Sequence, residues 1–548
     1  MAVGNRIERA AREVFGFDEL RPGQGEAVQS VLDGRDTLAV MSTGYGKSAI
    51  YQVAALLIPG PTVVVSPLIA LQRDQVEELE REGAGGAAAV SSFVGSGARQ
   101  EALEELAEGS LEFLFLSPEQ LSNEEVLADV AAAGPSLFVV DEAHCISEWG
   151  HDFRPDYLKL GAVAQAVGRP PLLALTATAS PPVREEIVER LGMRAPAVIV
   201  RGFDRPEIEL SVERFHDARA KQRALLERVA AEAGPGIVYA ATRRLAEELA
   251  ESLREEGVSA LAYHGGMRRA EREEAQEAFM QDRIDVVVAT TAFGMGVDKP
   301  NVRFVFHSEP ADSVDSYYQE IGRGGRDRQP ARAVLFFRGE DLGLRRFFAG
   351  GGHVDEDQLR MVAETVLAGD PLEETDLSET KLLTAVTRLE DVGGVTVEAS
   401  GAVAARPALR EDLDRVVDDA WREQQERQQF DRSRVEMMGA YAEAEGCRRE
   451  FVLTYFGERF EPPCGRCDNC IAGRVSASAD GERPFAPGAR VVHRQWGEGV
   501  VQRYEQEAVV VLFDSVGYKK LGLGMVLERG LLYESQRPGR DSNPRPNG

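Results

Sequence analysis

Short apolar runs alternate with amphipathic stretches between about residue 36 and residue 340. The runs are Thr37–Met41, 62–66, 112–117, 137–141, 171–176, 236–240, 285–290, 303–307 and 333–337. Strands that are almost unbroken in apolar residues and separated by helices predict parallel sheets covered on both faces. The runs are too many for one sheet. Two tandem α/β domains are expected, with the break at 202–206, after the run Ala197–Arg201.

The pattern changes beyond Phe348. The stretch 349–352, Ala-Gly-Gly-Gly, has the composition of a hinge, and 355–430 is acidic and helical in period. Leu382, Leu383, Val386 and Leu389 recur at helical spacing, and a Gly393-Gly394 turn and an alternating run, 395–398, follow them. This is the outline of a winged helix, or equally of a helical insertion ending in a β-turn. The stretch 472–487, rich in Gly, Ser, Ala and Pro, predicts a linker. Alternating segments at 490–493, 499–504, 508–514 and 519–523 predict a small all-β barrel. The expected division is 1–205, 206–348, 349–430, 431–473, 474–486, 487–534 and a polar, disordered tail, 535–548.

Composition narrows the class. The 548 residues are 43 % hydrophobic and 28 % charged, which excludes a mainly disordered chain, a fibre or a small disulfide-stapled domain. No run reaches the ~18 apolar residues of a membrane span, and with the charged stretch 6–13 and no apolar segment before it no secretory leader is expected. A cytoplasmic location without membrane contact is expected. The formal charge is −28, from 63 Lys and Arg against 91 Asp and Glu. Taken alone it argues against a nucleic-acid partner. The acid, however, concentrates in peripheral segments such as 101–108, 247–256 and 355–419, and a narrow basic and aromatic track is compatible with it.

The run Thr37–Met41 leads into Ser42-Thr43-Gly44-Tyr45-Gly46-Lys47-Ser48. A strand, this loop and a helix form a phosphate-binding P-loop. Glycines let backbone N–H groups close round phosphate oxygens, Lys47 reaches the β- and γ-phosphates of ATP, and Ser48 ligates Mg²⁺. The run 137–140 ends in Asp141 and Glu142. Asp141 is placed to hold Mg²⁺, directly or through water, and Glu142 to orient the attacking water. Hydrolysis also needs positive charge at the γ-phosphate. Arg323 and Arg326, three apart and so expected on one helical face, offer it. Supplied by the second domain, they would make hydrolysis depend on domain closure. Of five cysteines, Cys447, Cys464, Cys467 and Cys470 cluster. Four thiolates in this spacing fit tetrahedral Zn²⁺, with an Fe–S cluster or a redox pair as alternatives.

Taken in order, these motifs resemble those of the RecQ family of DNA helicases in superfamily 2. The resemblance runs from about residue 15 to residue 340. It implies two RecA-like domains. Residues 15–24 resemble the family's adenine-binding motif, with Phe17 stacked on the base and Arg21 and Gln24 contacting it. Residues 64–75 resemble motif Ia, and 141–155 resemble motif II joined to an aromatic-rich loop. In that loop Trp149, His151, Phe153 and Arg154 would stack and hold single-stranded DNA, coupling it to ATP hydrolysis. Residues 175–179, with Thr178, resemble motif III; 263–266 resemble the family's Tyr-His-Ala-Gly; 289–301 and 319–327 resemble motifs V and VI. The residues round Cys447 and 455–458 resemble the RecQ zinc module, which implies Zn²⁺ rather than iron.

The chain departs from the family in three ways. Residues 350–430 form a longer connection to the zinc module than relatives have. The winged-helix outline precedes Cys470 instead of following it, and no room is expected for a helical HRDC domain. Residues 487–533 resemble the SH3/Tudor-like module of UvrD/PcrA helicases, which implies a protein partner such as RNA polymerase or a repair factor. The resemblance implies 3′→5′ translocation on single-stranded DNA and unwinding of forked or branched DNA in repair or recombination. The alternatives are a DNA-dependent ATPase that remodels or docks through its C-terminal barrel, and an RNA-directed superfamily 2 ATPase.

Overall fold

The computed structural model describes residues 3–67, 69–90, 96–147, 154–294, 299–349, 354–397, 403–475, 484–505 and 508–535. Residues 536–548 of the expected tail, 476–483 of the expected linker and the aromatic positions Trp149, His151 and Phe153 lie outside the described residues. The chain divides into two compact units. One is built from Met1–Arg338 and Tyr441–Pro484, the other from Gly339–Ala440 and Phe485–Gln536.

The first unit holds two parallel sheets. Strands β1 (Thr37–Met41), β2 (Thr62–Val65), β3 (Gly86–Val90), β4 (Leu111–Leu116), β5 (Leu137–Val140), β6 (Leu172–Thr176) and β7 (Ala197–Arg201) are ordered β3-β4-β2-β5-β6-β1-β7. All pairs are parallel. Strands β8 (Ile208–Arg214), β9 (Gly236–Tyr239), β10 (Ala260–Tyr263), β11 (Val286–Ala289), β12 (Phe304–His307) and β13 (Ala331–Phe337) form the second sheet, β10-β11-β9-β12-β13-β8, again parallel throughout. The central strands, such as Leu137-Phe-Val-Val140, are buried along their whole length, which is why they read as unbroken apolar runs. One side chain locks the first sheet. Asp36, just before β1, accepts from Arg169 Nη1 at 3.1 Å and Nη2 at 2.6 Å, and from the backbone N–H groups of Leu172 at 3.0 Å and Arg194 at 2.6 Å. Burial alone would raise its carboxyl, but these hydrogen bonds outweigh that and hold it below the usual range.

Three strands were not expected from the pattern. β3 is an alanine-rich edge strand, poor in the β-branched residues that announce a strand. β8 is a half-exposed edge strand just beyond the expected domain break, and β10 is only partly covered.

In the second unit, helices Glu356–Ala368, Glu379–Asp391 and Pro407–Glu411 and the antiparallel hairpin β14 (Val395–Val397)–β15 (Val403–Ala405) share one core with the start of the helix Leu413–Glu443. Helix and hairpin match the expected outline. The boundary expected at 430/431 falls inside that continuous 31-residue helix. The C-terminal strands β16 (Arg490–His493), β17 (Gly497–Glu505), β18 (Ala508–Phe513), β19 (Gly517–Gly522) and β20 (Leu532–Glu534) form one antiparallel sheet, β19-β18-β17-β16-β20, over a core of Val491, Val501, Val511, Phe513 and Val526. The helix Leu523–Arg529 and β20 add to the four expected segments. No helix among the described residues is long and apolar enough to cross a membrane.

Candidate active site and metal centre

In a doubly covered parallel sheet the C-terminal ends of the strands are the open face, and the first-sheet motifs gather there. β1 ends at Met41, and the loop 42–47 turns into the helix Ser48–Ala55. Gly44 and Gly46 have φ of +75° and +81°, values that favour glycine and aim successive peptide groups into a cradle. Lys47 Nζ donates to the Met41 carbonyl at 3.3 Å, which folds it back across the loop. Ser48 Oγ accepts from Gln75 Nε2 at 3.0 Å, and Gln75 Oε1 accepts from the hydroxyl of buried Tyr51.

The segment before the first sheet braces this loop. Gln24 Nε2 donates to the carbonyls of Tyr45 at 3.1 Å and Gly46 at 2.7 Å, while its Oε1 accepts from Arg21 N at 2.7 Å. Arg21 Nη1 donates to the Gly44 carbonyl at 2.6 Å, and its guanidinium lies 5.4 Å from the Tyr45 ring centroid. Phe17 stacks on Phe15 with centroids 5.7 Å apart, and lines a hollow with Leu20, Arg21 and Gly23. Arg21 and Gln24 thus hold the loop's outer carbonyls, while inside the loop the Tyr45 N–H closes on the Ser42 carbonyl at 3.0 Å. Thr43, inside the loop, accepts through its carbonyl from Arg205 Nη1 at 3.3 Å.

Asp141 follows β5 and is 9 % exposed. Burial, with Glu142 alongside, pushes its carboxyl up to about 7, against the pull of Lys47. A buried carboxylate short of positive charge is the group a divalent cation would satisfy, so Asp141 and Ser48 fit Mg²⁺. Glu142 sits at φ +47°, a left-handed conformation that costs a non-glycine residue about 1–3 kcal/mol and clusters at functional sites. His144 Nδ1 lies 2.8 Å from Thr176 Oγ1 and 3.3 Å from the Glu142 carboxylate. Thr176 Oγ1 donates to the Thr178 carbonyl at 3.1 Å, so it accepts from His144, and the proton is assigned to Nδ1. β6 lies between β5 and β1. Its terminal Thr176 therefore ties Glu142, through His144, to the buried backbone of Thr178.

The arginines come from the second sheet. The helix Val314–Ile321 stops at Gly322, and residues 322–328 form turns. Arg323 and Arg326 therefore do not share a helical face. The reason is Gly324-Gly325: Gly325 takes φ +63°, and a Cβ on it would lie 2.8 Å from the Gln329 carbonyl. Arg323 is 4 % exposed and neighbours Tyr239 and Gly294 in the second domain. Arg326 reaches the first domain, where a Cβ on Gly44 would lie 3.6 Å from its Cγ. Arg154, the described member of the aromatic-rich loop, donates to the Pro67 carbonyl at 3.4 Å, joining motif II to the 64–75 segment. Gln75, Thr176 and Arg205 were not singled out in the sequence. The first two stand inside quoted motifs, and the third lies in the expected domain break, where no local signal marks it.

The sulfurs of Cys447, Cys464, Cys467 and Cys470 all lie within 4.8 Å of one another, with Cys464 and Cys470 3.8 Å apart. A tetrahedral ion with ~2.3 Å bonds to sulfur spaces its ligands by about 3.8 Å, so the cluster fits Zn²⁺. Cys447 and Cys467 each cap a helix N-terminus. The bond from Cys447 pulls the Cys467 thiol down to about 4, whereas burial raises Cys470 to about 11. Asp468 docks the cluster: it accepts from Arg448 Nε at 2.5 Å and from Val212 N, on edge strand β8, at 3.0 Å. Farther along, Phe456 stacks on Phe203 at 4.5 Å, its carbonyl accepts from Arg184, and Glu458 accepts from Phe203 N at 3.0 Å. The zinc module thus touches both sheet domains and the segment joining them.

A P-loop and acidic pair on one parallel sheet, facing an arginine-bearing turn from a second, define a two-domain motor ATPase of the helicase class. The family profiles agree. "DEAD/DEAH box helicase" matches residues 21–187, "Helicase conserved C-terminal domain" 220–328 and "RecQ zinc-binding" 410–471. The chain is 35 % identical over 471 residues to the probable ATP-dependent DNA helicase RecS of Bacillus subtilis, covering 85 % of this chain and 92 % of that protein. It is 35 % identical over 459 residues to the ATP-dependent DNA helicase RecQ of Pasteurella multocida, covering 84 % of this chain but 61 % of that longer protein. Among solved structures, the helicase MrfA bound to DNA and AMPPNP superposes with a TM-score of 0.51 at 20 % identity, over 63 % of this chain and 52 % of that one, which shows a shared fold. This chain belongs to the RecQ family of ATP-dependent DNA helicases.

Proposed function

We propose that the protein couples ATP hydrolysis to 3′→5′ movement along single-stranded DNA and separates forked or branched duplexes in repair or recombination. One observation carries the motor reading: Arg326 of the second domain lies against Gly44 of the phosphate loop in the first. Charge needed in the transition state then depends on how the two sheets sit, so nucleotide turnover and domain movement are linked.

Phe17 would face the adenine, with Arg21 and Gln24 fixing the loop beside it. Lys47 meets the β- and γ-phosphates, and the loop N–H groups of Thr43, Gly44, Gly46, Lys47 and Ser48 hold their oxygens. Mg²⁺, when bound by Ser48 and Asp141, neutralises phosphate charge. The Glu142 carboxylate orients water for in-line attack, and Arg323 and Arg326 stabilise the departing charge. Through Thr176, Thr178 is placed to report strand contact to Glu142, with Trp149, His151, Phe153 and Arg154 stacking on bases. Zn²⁺ has a structural role. The C-terminal antiparallel sheet would recruit a protein partner, such as RNA polymerase or a repair factor, and the setting is cytoplasmic.

The test compares ATP hydrolysis with DNA and RNA oligonucleotides for the full chain and Lys47→Ala, together with fork unwinding. Stimulation by DNA, abolished by Lys47→Ala, with forks unwound supports the reading. Stimulation by RNA alone, or DNA-stimulated hydrolysis without unwinding, contradicts it.

A further inference from the structure

Arg205 belongs to none of the motifs above, yet its side chain spans the nucleotide cleft. It lies between β7 and β8, in the segment that joins the two sheet domains, with its side chain 11 % exposed. Nη1 donates to the Gly322 carbonyl at 3.0 Å and to the Thr43 carbonyl at 3.3 Å. Nη2 donates to the Gly324 carbonyl at 2.9 Å, and Nε to the Glu207 carboxylate. Its own backbone is held from the other side: the Arg205 carbonyl accepts from Arg449 Nη2 at 3.1 Å, and Asp204 pairs with Arg449 at 3.3 Å.

The choice of acceptors is specific. Gly322 and Gly324 flank Arg323, so one guanidinium pins the peptide that enters Arg323, through the Gly322 carbonyl, and the Gly324–Gly325 peptide just beyond it, through the Gly324 carbonyl. The same guanidinium reaches the phosphate loop at Thr43, next to Gly44, where Arg326 also approaches. Neither glycine has a side chain with which to fix the turn, and a planar fork with five fixed N–H donors can bind several carbonyls at once. We propose that Arg205 is a positioning residue for ATP hydrolysis, which holds the arginine-bearing turn of the second domain in register with the phosphate loop of the first. It does not touch the reacting atoms; of the two arginines on that turn, Arg323 and Arg326, it acts through Arg323, whose neighbours it holds. The inference rests on the reading that these two arginines serve the γ-phosphate. A lysine keeps the charge but lacks the fork, and so cannot replace it.

The experiment uses the full chain with Arg205→Lys, Arg323→Ala, Arg326→Ala and the double variant Arg205→Lys/Arg323→Ala. For Arg205→Lys we expect DNA-stimulated kcat to fall roughly tenfold to a hundredfold, the scale of a misplaced catalytic group. Binding of a fluorescent ATP analogue and of single-stranded DNA should stay within about twofold, which separates turnover from ground-state binding. In the Arg323→Ala background the same change should cost little more, because the group it positions is gone. Arg205→Ala with added guanidinium gives a second route, and partial recovery of kcat is expected. Wild-type turnover by Arg205→Lys overturns the inference, as do losses that multiply in the double variant. Arg323→Ala and Arg326→Ala that both hydrolyse ATP normally overturn the underlying reading, and the inference with it.

Discussion

Thr176→Val keeps the shape of a fully buried side chain and removes one hydroxyl. That hydroxyl accepts from His144 at 2.8 Å, donates to the Thr178 carbonyl at 3.1 Å and accepts from Thr178 N at 3.3 Å. A buried polar group left without its partner costs about 1–3 kcal/mol. The His144 N–H can fall back on Glu142 at 3.3 Å, and the Thr178 N–H bond is long, so one full loss, at the Thr178 carbonyl, dominates. The added methyl returns up to ~0.8 kcal/mol of apolar burial. The net is a destabilisation of about 1–2 kcal/mol, or roughly 2–8 °C in Tm for a domain of this size. The functional effect is separate. With Glu142 now the partner that faces His144 Nδ1, the carboxylate is drawn toward the imidazole and away from water. The DNA-stimulated rate should fall by about tenfold, the scale of impaired general-base positioning, while nucleotide affinity holds. Calorimetry and a coupled ATPase assay, with and without DNA, measure both. An unchanged Tm together with unchanged stimulation would refute the assigned network.

Three further outcomes follow from the geometry. Gly202 has φ +77°, and a Cβ there would strike the Tyr45 ring, whereas Gly192, at φ +60°, has nothing near its Cβ. Gly202→Ala should therefore weaken nucleotide binding beyond the ~1–2 kcal/mol of backbone strain that both substitutions carry; equal behaviour in a nucleotide titration would contradict this. Asp36 is held below the usual carboxylate range, so its stabilisation is present above about pH 4 and is lost as pH falls through the folded value. Asp36→Asn should lower stability at pH 7, by about 3–5 kcal/mol for a broken buried pair, and flatten acid unfolding curves. Zinc removal by a chelator, or Cys464→Ser, should free the module docked through Asp468 on Val212, seen as loss of one zinc per chain and a lower Tm; a metal-free protein with unchanged Tm would count against the docking.

Much of the two-sheet core was legible because strands buried on both faces leave unbroken apolar runs, as at 137–140. Edge strands lack that signature: β3 is mostly alanine, and β8 alternates. The P-loop, the acidic pair and the cysteines were legible because their chemistry needs fixed residue types at fixed spacing. Arg323 and Arg326 were found as residues but misplaced on a helix, because a left-handed Gly325 ends helical spacing without altering the count between them. The links between elements were not legible. Arg205 reaches Gly322 and Thr43 across more than a hundred residues each way, and nothing local in the sequence records a side chain's distant carbonyl partners.

The central claim is an ATP-driven motor of fixed polarity on DNA. Its most direct test is unwinding of one duplex carrying either a 3′ or a 5′ single-stranded tail, by the full chain at stated salt, with ATP and with a non-hydrolysable analogue. The account predicts strand separation from the 3′-tailed substrate with ATP alone, and none from Lys47→Ala. Equal unwinding of both substrates, preference for the 5′ tail, or separation without hydrolysis would contradict it.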